Sequence, residues 1–172
     1  MKLEIRRAGP EDLDAAVDIL AEAARWLASR GIRQRPEHGF PATDVAERIE
    51  RGEMYLARLD GDPVATIAID WDDEYFWSSS DHDAVYVHRM AVRRRWAGRK
   101  IGERLLDWAA ERTAIAGRAW VRLDCVTANV GLCQYYLDCG WTHVRDVTDE
   151  IGTESLFQRP AGLGGGDSRN GP

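Results

Sequence analysis

Cysteine and long apolar stretches are scarce in this 172-residue chain. The three cysteines are odd in number and lack C-x-x-C spacing, which argues against a disulfide framework or a zinc site and favours free thiols in a reducing compartment. No uninterrupted apolar stretch approaches the roughly 18 residues of a membrane helix, and the N-terminus turns polar too early for a signal peptide. We therefore expect a cytoplasmic protein that does not enter a membrane.

An excess of acidic over basic residues narrows the class of partners. The chain has 29 Asp and Glu against 23 Lys and Arg, a formal net charge of −6 at pH 7. This balance argues against a nonspecific nucleic-acid coat or a polybasic membrane binder, although it leaves room for a local basic patch. Hydrophobic residues make up 44% of the chain, which is enough for one sizeable core and excludes wholesale disorder.

The length and the distribution of apolar residues indicate one domain. Periodic patterns continue to about residue 158, whereas the C-terminal segment PAGLGGGDSRNGP carries a single core-forming residue, Leu163. We predict one domain over residues 1–159 and a mobile, Gly-rich tail over residues 160–172.

Alternating and helical patterns follow one another in a definite order along the chain. Strand 2–7 precedes an amphipathic helix that runs to about Ser29 and a short helix capped by Thr43 and ending at Gly52. The turn sequence DGDP at residues 60–63, between two β-rich stretches, predicts a hairpin. The remaining elements are strands over 84–92, 120–126, 141–147 and 153–158, and helices over 98–116 and from Asn129 to Gly140. An antiparallel front half followed by β-α-β units predicts an α/β protein with a mixed sheet and helices on both faces.

The sharpest local feature is the segment HRMAVRRRWAGRKIGERLL from His88 to Leu106. A strand ends at Val92, a basic turn follows, and a glycine-bearing segment opens a helix, so that free backbone N–H groups and a helix N-terminus point at one spot. A bound phosphate group is one interpretation, and a solvated basic turn is the other. Neither the Walker A pattern nor the dinucleotide pattern G-x-G-x-x-G is present. The cations that follow the strand in this segment are Arg93, Arg94, Arg95, Arg99, Lys100 and Arg104.

Two ordered motifs resemble those of the GNAT superfamily of acyl-CoA-dependent N-acyltransferases. Residues 92–106 follow the pattern V-x-x-x-[YW]-x-G-x-x-[IL]-G-x-x-L-L after a strand, and residues 129–141 (NVGLCQYYLDCGW) follow N-x6-Y-x3-G-[FW]. The resemblance covers residues 3–147 and implies a GNAT-like mixed central sheet of six to seven strands flanked by about four helices. It also implies transfer of an acetyl or other acyl group from acyl-CoA to the primary amine of a small molecule by direct attack. Acetyl-CoA would be the co-substrate, and no metal would be needed.

The resemblance assigns roles to individual residues. The strand backbone would pair with the pantetheine arm and hold the thioester oxygen, and the loop amides would cradle the pyrophosphate. Tyr136 would protonate the departing thiolate, with a core aromatic as the alternative, and Asn129 would contact the cofactor arm or only cap its helix. The implied cofactor-binding residues are Met90, Ala91, Val92, Ala97, Gly98, Arg99, Lys100, Ile101, Gly102, Glu103 and Asn129.

Two residues depart from the family's pyrophosphate loop, Q/R-x-x-G-x-G/A. Its usual Gln or Arg falls on Ala97, and its first Gly falls on Lys100. We expect Lys100 to lie inside the first turn of the helix, where a positive φ is not needed. Backbone amides and the neighbouring arginines are expected to compensate for the missing donor at Ala97.

An acceptor ammonium must lose a proton before it can attack a thioester. Tyr86, His88 and Met90 share one face of strand 84–92, and relatives often place a base at the positions of the first two. His88 is the predicted general base, because an imidazole with a pKa of roughly 6.5 accepts protons at neutral pH. Glu74, a water chain and a purely structural role for His88 are the alternatives.

The segment 70–83 carries acidic and aromatic side chains and no Lys or Arg. Such a mixture suits a cationic amine with flat or apolar surface, and a solvated acidic loop is the other interpretation. The predicted substrate-binding residues are Glu74, Trp77 and Tyr86. The six carboxylates of the segment are Asp70, Asp72, Asp73, Glu74, Asp81 and Asp83.

Two further functions stay open at this stage. The basic loop could take an aminoacyl-tRNA or a carrier-protein thioester as the donor, which the net charge argues against. A catalytically silent GNAT-like binding domain is the third hypothesis, and Asn129 and Tyr136 in their motif positions argue against it. The partners expected are a small-molecule amine, with tRNA less favoured and no membrane, and a homodimer stays open.

Overall fold

The computed structural model describes residues 2–33, 39–77 and 82–162, and it shows an α/β protein. Within these residues the chain forms seven strands, four α-helices and two single 3-10 turns. The first half contains β1 (Leu3–Arg7), α1 (Leu13–Ser29), α2 (Ala42–Glu50), β2 (Met54–Leu59), β3 (Asp62–Asp70) and β4 (Ala84–Val92). The second half contains α3 (Ile101–Ile115), β5 (Trp120–Val126), α4 (Val130–Asp138), β6 (Thr142–Thr148) and β7 (Thr153–Pro160).

All seven strands join one mixed sheet in the order β1-β2-β3-β4-β5-β7-β6. Neighbouring strands from β1 to β4 are antiparallel, and β4 pairs with β5 in parallel, with α3 as the crossover. The predicted antiparallel front half and the following β-α-β unit are therefore confirmed. The sequence order did not predict that β7 inserts between β5 and β6, antiparallel to both.

The sheet has a separate apolar core on each face, because successive strand residues point to opposite sides. On one face Ile67 and Val87 pack with Leu105 of α3 and Tyr136 of α4. On the other face Leu56 and Ala68 pack with residues of α1 and α2. Further along this second face, Trp77 covers Tyr86 and Leu156 where no helix lies over the sheet. The face with α3 and α4 is called the donor face below, and the other is called the acceptor face.

Some element boundaries differ from the sequence-based expectation. Helix α2 begins at Ala42 after Pro41, so that Thr43 lies inside it and does not cap it. Helix α3 begins at Ile101 and not at residue 98, because Gly98 and Lys100 have positive φ angles that a right-handed helix does not allow. Strand β7 continues to Pro160, the first residue of the predicted tail. Asp81 and the tail from residue 163 onward lie outside the described residues.

None of the helices in the described ranges has the length and apolarity needed to cross a lipid bilayer.

Asp12, at the start of α1, is a fully buried carboxylate that ties three elements together. It accepts a hydrogen bond from the backbone N–H of Gly9 at 3.0 Å. Its other oxygen accepts from Arg58 of β2 at 2.6 Å and from Arg6 of β1 at 3.2 Å. Burial by itself favours the neutral acid, but the Gly9 amide and the two arginines outweigh it and hold the pKa of Asp12 below its ordinary value.

Replacing Asp12 with Asn should lower the free energy of unfolding at neutral pH by about 2 kcal/mol, since a hydrogen bond to a charged group contributes roughly 1.5–3 kcal/mol. Because the folded-state pKa is lowered, this stabilisation is present above about pH 4 and disappears as the pH falls through the folded pKa. Urea unfolding should show a full gap between the two proteins at neutral pH that narrows in acid. Asp18→Asn, on the exposed side of α1, is the control. Equal urea midpoints for Asp12→Asn and wild type at neutral pH would contradict this role.

Candidate active site

The two parallel strands at the centre of the sheet separate halfway along their length. β4 and β5 are paired from Ala84 with Trp120 to Val87 with Leu123, and no later residue of one pairs with the other. Each strand remains held on its outer side, β4 by β3 and β5 by β7. A gap therefore opens between residues 88–92 and residues 124–126, and backbone groups of β4 that face it have no strand partner. Met90, Ala91 and Val92, predicted to pair with a pantetheine arm, lie on this stretch.

A β-bulge bends β4 at the same point. Ala68 of β3 pairs with His88 and Thr66 pairs with Ala91, so that two residues of β4 lie opposite one residue of β3. Arg89, in the bulge, has a φ of 50°, and its carbonyl accepts a hydrogen bond from the Thr66 hydroxyl at 2.8 Å. The bulge re-aims the side chains beside it. His88 points to the acceptor face and Met90 packs on the donor face, so the expectation that they share one face of the strand is wrong.

The loop after β4 leads to free backbone amides at the N-terminus of α3, which we call the candidate anion site. The first helical hydrogen bond runs from the Arg104 N–H to the Lys100 carbonyl at 3.1 Å. The amides of Ile101, Gly102 and Glu103 precede this bond and carry the positive end of the helix dipole. Five exposed cations belong to the same segment of the chain: Arg94, Arg95, Arg99, Lys100 and Arg104. This is the geometry expected for a pyrophosphate, and Ala97, Gly98 and Arg99 lead into it.

The position of Lys100 differs from the one expected from the sequence. It was expected inside the first turn of the helix, but it is the N-cap, with a φ of 60° and a ψ of 17°. A non-glycine residue in this left-handed region carries roughly 1–2 kcal/mol of strain. The position therefore does need a positive φ, which explains why glycine is the usual residue in the related loop, and the expectation was wrong.

Two predicted residues of α4 lie on the donor face beside the gap. Asn129 is the N-cap, and its side-chain oxygen accepts from the Leu132 N–H at 3.2 Å. Tyr136 is 5% exposed, with its ring 6.0 Å from that of Trp141 and 5.6 Å from that of Phe157. Burial raises the pKa of Tyr136 well above its usual value, and the nearby Cys125 and Asp124 add to the effect, so that the phenol keeps its proton.

The opposite side of the gap contains His88 surrounded by carboxylates. Its Nε2 lies 3.3 Å from Asp73 Oδ2 and 3.7 Å from Asp70 Oδ2, and its Nδ1 lies 3.5 Å from Asp124 Oδ1. Burial by itself disfavours the imidazolium, but the three carboxylates outweigh it and raise the pKa of His88 above 6.5. The carboxylates therefore favour the imidazolium form of His88 more than water does. We call these four residues the acceptor-face cluster.

Other charges complete the acceptor-face cluster. Arg48 of α2 donates to Asp70, and the Phe76 N–H donates to Asp73 at 3.0 Å. Asp73 Oδ2 and Asp124 Oδ1 are buried and accept no hydrogen bond from the described residues. Ligand atoms of Asp73, His88 and Asp124 lie within 4.8 Å of one another, but both ring nitrogens of His88 already face carboxylates. We therefore interpret the cluster as ion pairs and not as a metal centre.

The residues predicted to contact the acceptor are dispersed around the acceptor-face cluster. Glu74 is exposed in the turn after β3, whereas Trp77 and Tyr86 are buried together, with ring centroids 6.2 Å apart. Sequence reasoning did not find Asp124. Only the pairing of β4 with β5, which are distant in the sequence, brings it to His88.

The fold and this gap together define an acyltransferase, and comparison with known proteins agrees. A model described as the Acetyltransferase (GNAT) family matches residues 17–141, so the chain belongs to that family and is an N-acetyltransferase. The predicted superfamily and fold class are thereby confirmed. An uncharacterised N-acetyltransferase of Bacillus subtilis (strain 168), YesJ, is 29% identical over 138 residues, covering 76% of this chain and 77% of YesJ.

Two solved structures illustrate the similarity in three dimensions. A GNAT-family acetyltransferase from Listeria monocytogenes 4b F2365 is 26% identical, with a TM-score of 0.75 over 92% of this chain and 94% of that one. The PaiA N-acetyltransferase from Thermoplasma acidophilum, in complex with coenzyme A, is 20% identical, with a TM-score of 0.73 over 93% and 99% of the two chains. The second similarity is one of fold.

Gly102 generates a prediction about the anion site. A Cβ at this position would lie 2.6 Å from the hydroxyl oxygen of Tyr135 but 3.6 Å from Cζ, the ring carbon that carries this hydroxyl. Overpacking of this size costs about 2 kcal/mol, and the helix preference of Ala returns about 1, so Gly102→Ala should lower the free energy of unfolding by about 1 kcal/mol. In a Tyr135→Phe background the same substitution should stabilise by up to about 1 kcal/mol, because Ala favours helix over Gly. Urea unfolding of the four proteins measures this coupling.

Gly131→Ala is the matched control, since a Cβ there meets open space in α4. It should stabilise the protein equally with Tyr or Phe at position 135. If Gly102→Ala behaves identically in both backgrounds, the hydroxyl contact does not limit this position.

Proposed function

We propose that the protein transfers an acetyl group from acetyl-CoA to the primary amine of a small molecule. The observation that carries this proposal is the gap between β4 and β5, with an anion site at one end and a buried acidic cluster on its acceptor face. An anion site suits the phosphates of the donor, and uncompensated carboxylates suit an ammonium. The gap would bring the two substrates together.

The donor-face residues fit acetyl-CoA. The free amides of Ile101, Gly102 and Glu103 would bind the pyrophosphate, helped by the exposed arginines. The backbone of residues 90–92 would pair with the pantetheine arm, and an amide there would hold the thioester oxygen as negative charge develops on it. Asn129 would contact the arm from α4. The PaiA enzyme with the same fold is described in complex with coenzyme A.

Tyr136 is proposed as the general acid. Its side chain is anchored by Trp141 and Phe157, and its raised pKa keeps the hydroxyl protonated and able to donate. The departing thiolate would take this proton as the surplus proton of the new amide nitrogen returns to the phenolate. Protonating the thiolate makes departure from the acyl carbon irreversible in practice, because the thiol attacks far more weakly than the thiolate.

Carboxylates on the acceptor face support a cationic acceptor. The acceptor-face cluster and the groups ion-paired around it carry one more negative than positive charge when all are ionised: Asp44, Glu53, Asp70, Asp73 and Asp124 against Arg48, Arg51, His88 and Arg89. An alkylammonium group would balance it. Glu74, on the exposed turn nearby, and the aromatic pair of Trp77 and Tyr86 remain proposals for contacts with the rest of the acceptor.

Acetyl-CoA should raise the melting temperature of the protein, because a ligand that binds only the native state stabilises it. At 100 times the Kd the gain is about 2.7 kcal/mol. Release of free CoA should then depend on an added primary amine, measured with a thiol reagent across a panel of small amines. No thermal shift with acetyl-CoA would contradict the proposed donor. A shift without amine-dependent CoA release would contradict a small-molecule amine as acceptor.

Tyr136→Phe should slow turnover by roughly 10²–10⁴-fold, the usual contribution of general acid catalysis. The Kd for acetyl-CoA should remain close to that of wild type, because the proposed donor contacts are mainly backbone amides. Tyr55→Phe is the matched control. Tyr55 lies on β2, away from the gap, and is buried against Trp108 of α3. Wild-type turnover by Tyr136→Phe would show that another group protonates the thiolate. Loss of acetyl-CoA binding would instead make Tyr136 a binding or packing residue.

A further inference from the structure

We propose that Asp124 is the general base that takes a proton from the ammonium of the acceptor. This inference rests on the proposed acetyl transfer to an amine and adds a residue that neither the sequence motifs nor the family match identifies.

Asp124 lies at the entrance of the gap between β4 and β5. The pairing of β4 with β5 ends at Val87 and Leu123, so His88 and Asp124 are the first residues on either side of the gap. Both side chains point to the acceptor face, with His88 Nδ1 3.5 Å from Asp124 Oδ1. On its other side β5 is paired with β7, Asp124 opposite Leu156. The carboxylate is therefore held at the mouth of the gap by a strand that is fixed in the sheet.

One side-chain oxygen of Asp124 has no hydrogen-bond donor among the described residues. Asp70 accepts from Arg48, and Asp73 accepts from the Phe76 amide through Oδ1. Asp124 Oδ1, like Asp73 Oδ2, is buried and accepts no hydrogen bond from the described residues, but of the two carboxylates only Asp124 lies on a strand that borders the gap. Leaving a buried charged acceptor without a donor is costly, and such atoms in native proteins call for a functional explanation. An ammonium group with three N–H donors would supply the missing hydrogen bond.

The surroundings of Asp124 make its carboxylate more basic than an exposed one. Burial raises the pKa of Asp124 above its ordinary value, and the negative charge of Asp73 adds to the effect. The cations of His88 and Arg89 act in the opposite direction. Tyr136 and Cys125 also lie near it, both neutral at physiological pH because their pKa values are raised. A carboxylate of raised pKa accepts protons more readily than one on the surface.

The proton balance of the reaction is complete with these groups. An N–H bond of the ammonium breaks and an O–H bond forms on Asp124, which leaves a neutral amine. The amine lone pair attacks the thioester carbon, the C–N bond forms, and the C–S bond breaks. The thiolate takes the Tyr136 proton, and the surplus proton on the new amide nitrogen returns to the phenolate. Asp124 then releases its proton to solvent, so that each turnover yields an amide, a thiol and one proton.

His88 has a different part in this scheme. Its three carboxylate neighbours favour the imidazolium, a form that has no lone pair with which to accept a proton. It acts as a positioning residue whose charge keeps Asp124 ionised. His88 as the base itself is the competing outcome of the test.

The test compares wild type with Asp124→Asn on a series of small primary amines. Their ammonium pKa values run from about 10, like a lysine side chain, to about 8, like an α-amino group. For the most basic amine, kcat should fall by roughly 10²–10⁴-fold, the usual size of a general-base contribution. The loss should shrink as the ammonium pKa falls below the assay pH, because a neutral amine needs no base. Asp124→Glu should recover part of the activity.

Controls separate catalysis from folding. Asp60→Asn makes the same chemical change at the exposed β2–β3 turn and should leave kcat unchanged. The thermal shift with acetyl-CoA should be retained in Asp124→Asn, which shows a folded donor side. A raised KM with unchanged kcat would make Asp124 a binding residue and overturn its role as base. An equal loss for every amine, whatever its pKa, would overturn it too.

His88→Gln provides an independent readout if Asp124→Asn does not fold. Removing the imidazolium should raise the pKa of Asp124, so the acidic limb of kcat/KM should move to higher pH. If His88 were the base, His88→Gln would lose most of the activity together with the acidic limb of the kcat/KM profile. Asp124→Asn would then keep both the activity and this limb. Wild type inactive with every amine would contradict the proposed function, whereas an active wild type with an equally active Asp124→Asn would contradict this inference alone.

Discussion

The separation of β4 from β5 after Val87 and Leu123 is the constraint on which both halves of the site depend. Backbone N–H and C=O groups inside a protein need partners, and a central strand normally finds them on both edges. Here β3 and β7 hold the two strands apart from outside, so the gap cannot close by sliding. A ligand that is itself extended and rich in amides is the natural partner for the exposed edge of β4.

The bulge at Arg89 makes the separation compatible with a continuous β4. An extra residue bends the strand and increases its twist, and the strand nevertheless keeps its pairing with β3. Arg89 is accommodated through contacts on the acceptor face, where its guanidinium lies 3.7 Å from the ring centroid of Phe40 and 3.3 Å from Asp44. A strained backbone and a buried guanidinium are thus found together at the point where the site opens, as is common at functional sites.

The two sides of the gap differ in their electrostatics. The donor side has exposed cations and helix amides around an apolar core, whereas the acceptor side has buried carboxylates that outnumber their cations. Burying charge without full compensation lowers stability, and proteins retain such clusters mainly where the charge has a use. Tyr136 and Asp124 approach from opposite faces of one sheet, so the proposed acid and the proposed base would serve the same acyl carbon without neutralising each other.

Local sequence determined much of this protein. Hydrophobic periodicity predicted nearly every strand and helix, the Asn129 cap followed from residue type, and the spacing from Val92 to Leu106 indicated the anion site. Tertiary structure alone decided the insertion of β7, the bulge at Arg89, the left-handed Lys100 and the contact between His88 and Asp124. The physical reason is that these features depend on which distant strands pair and in which register, and a local pattern of apolar and polar residues contains no information about a partner that is dozens of residues away.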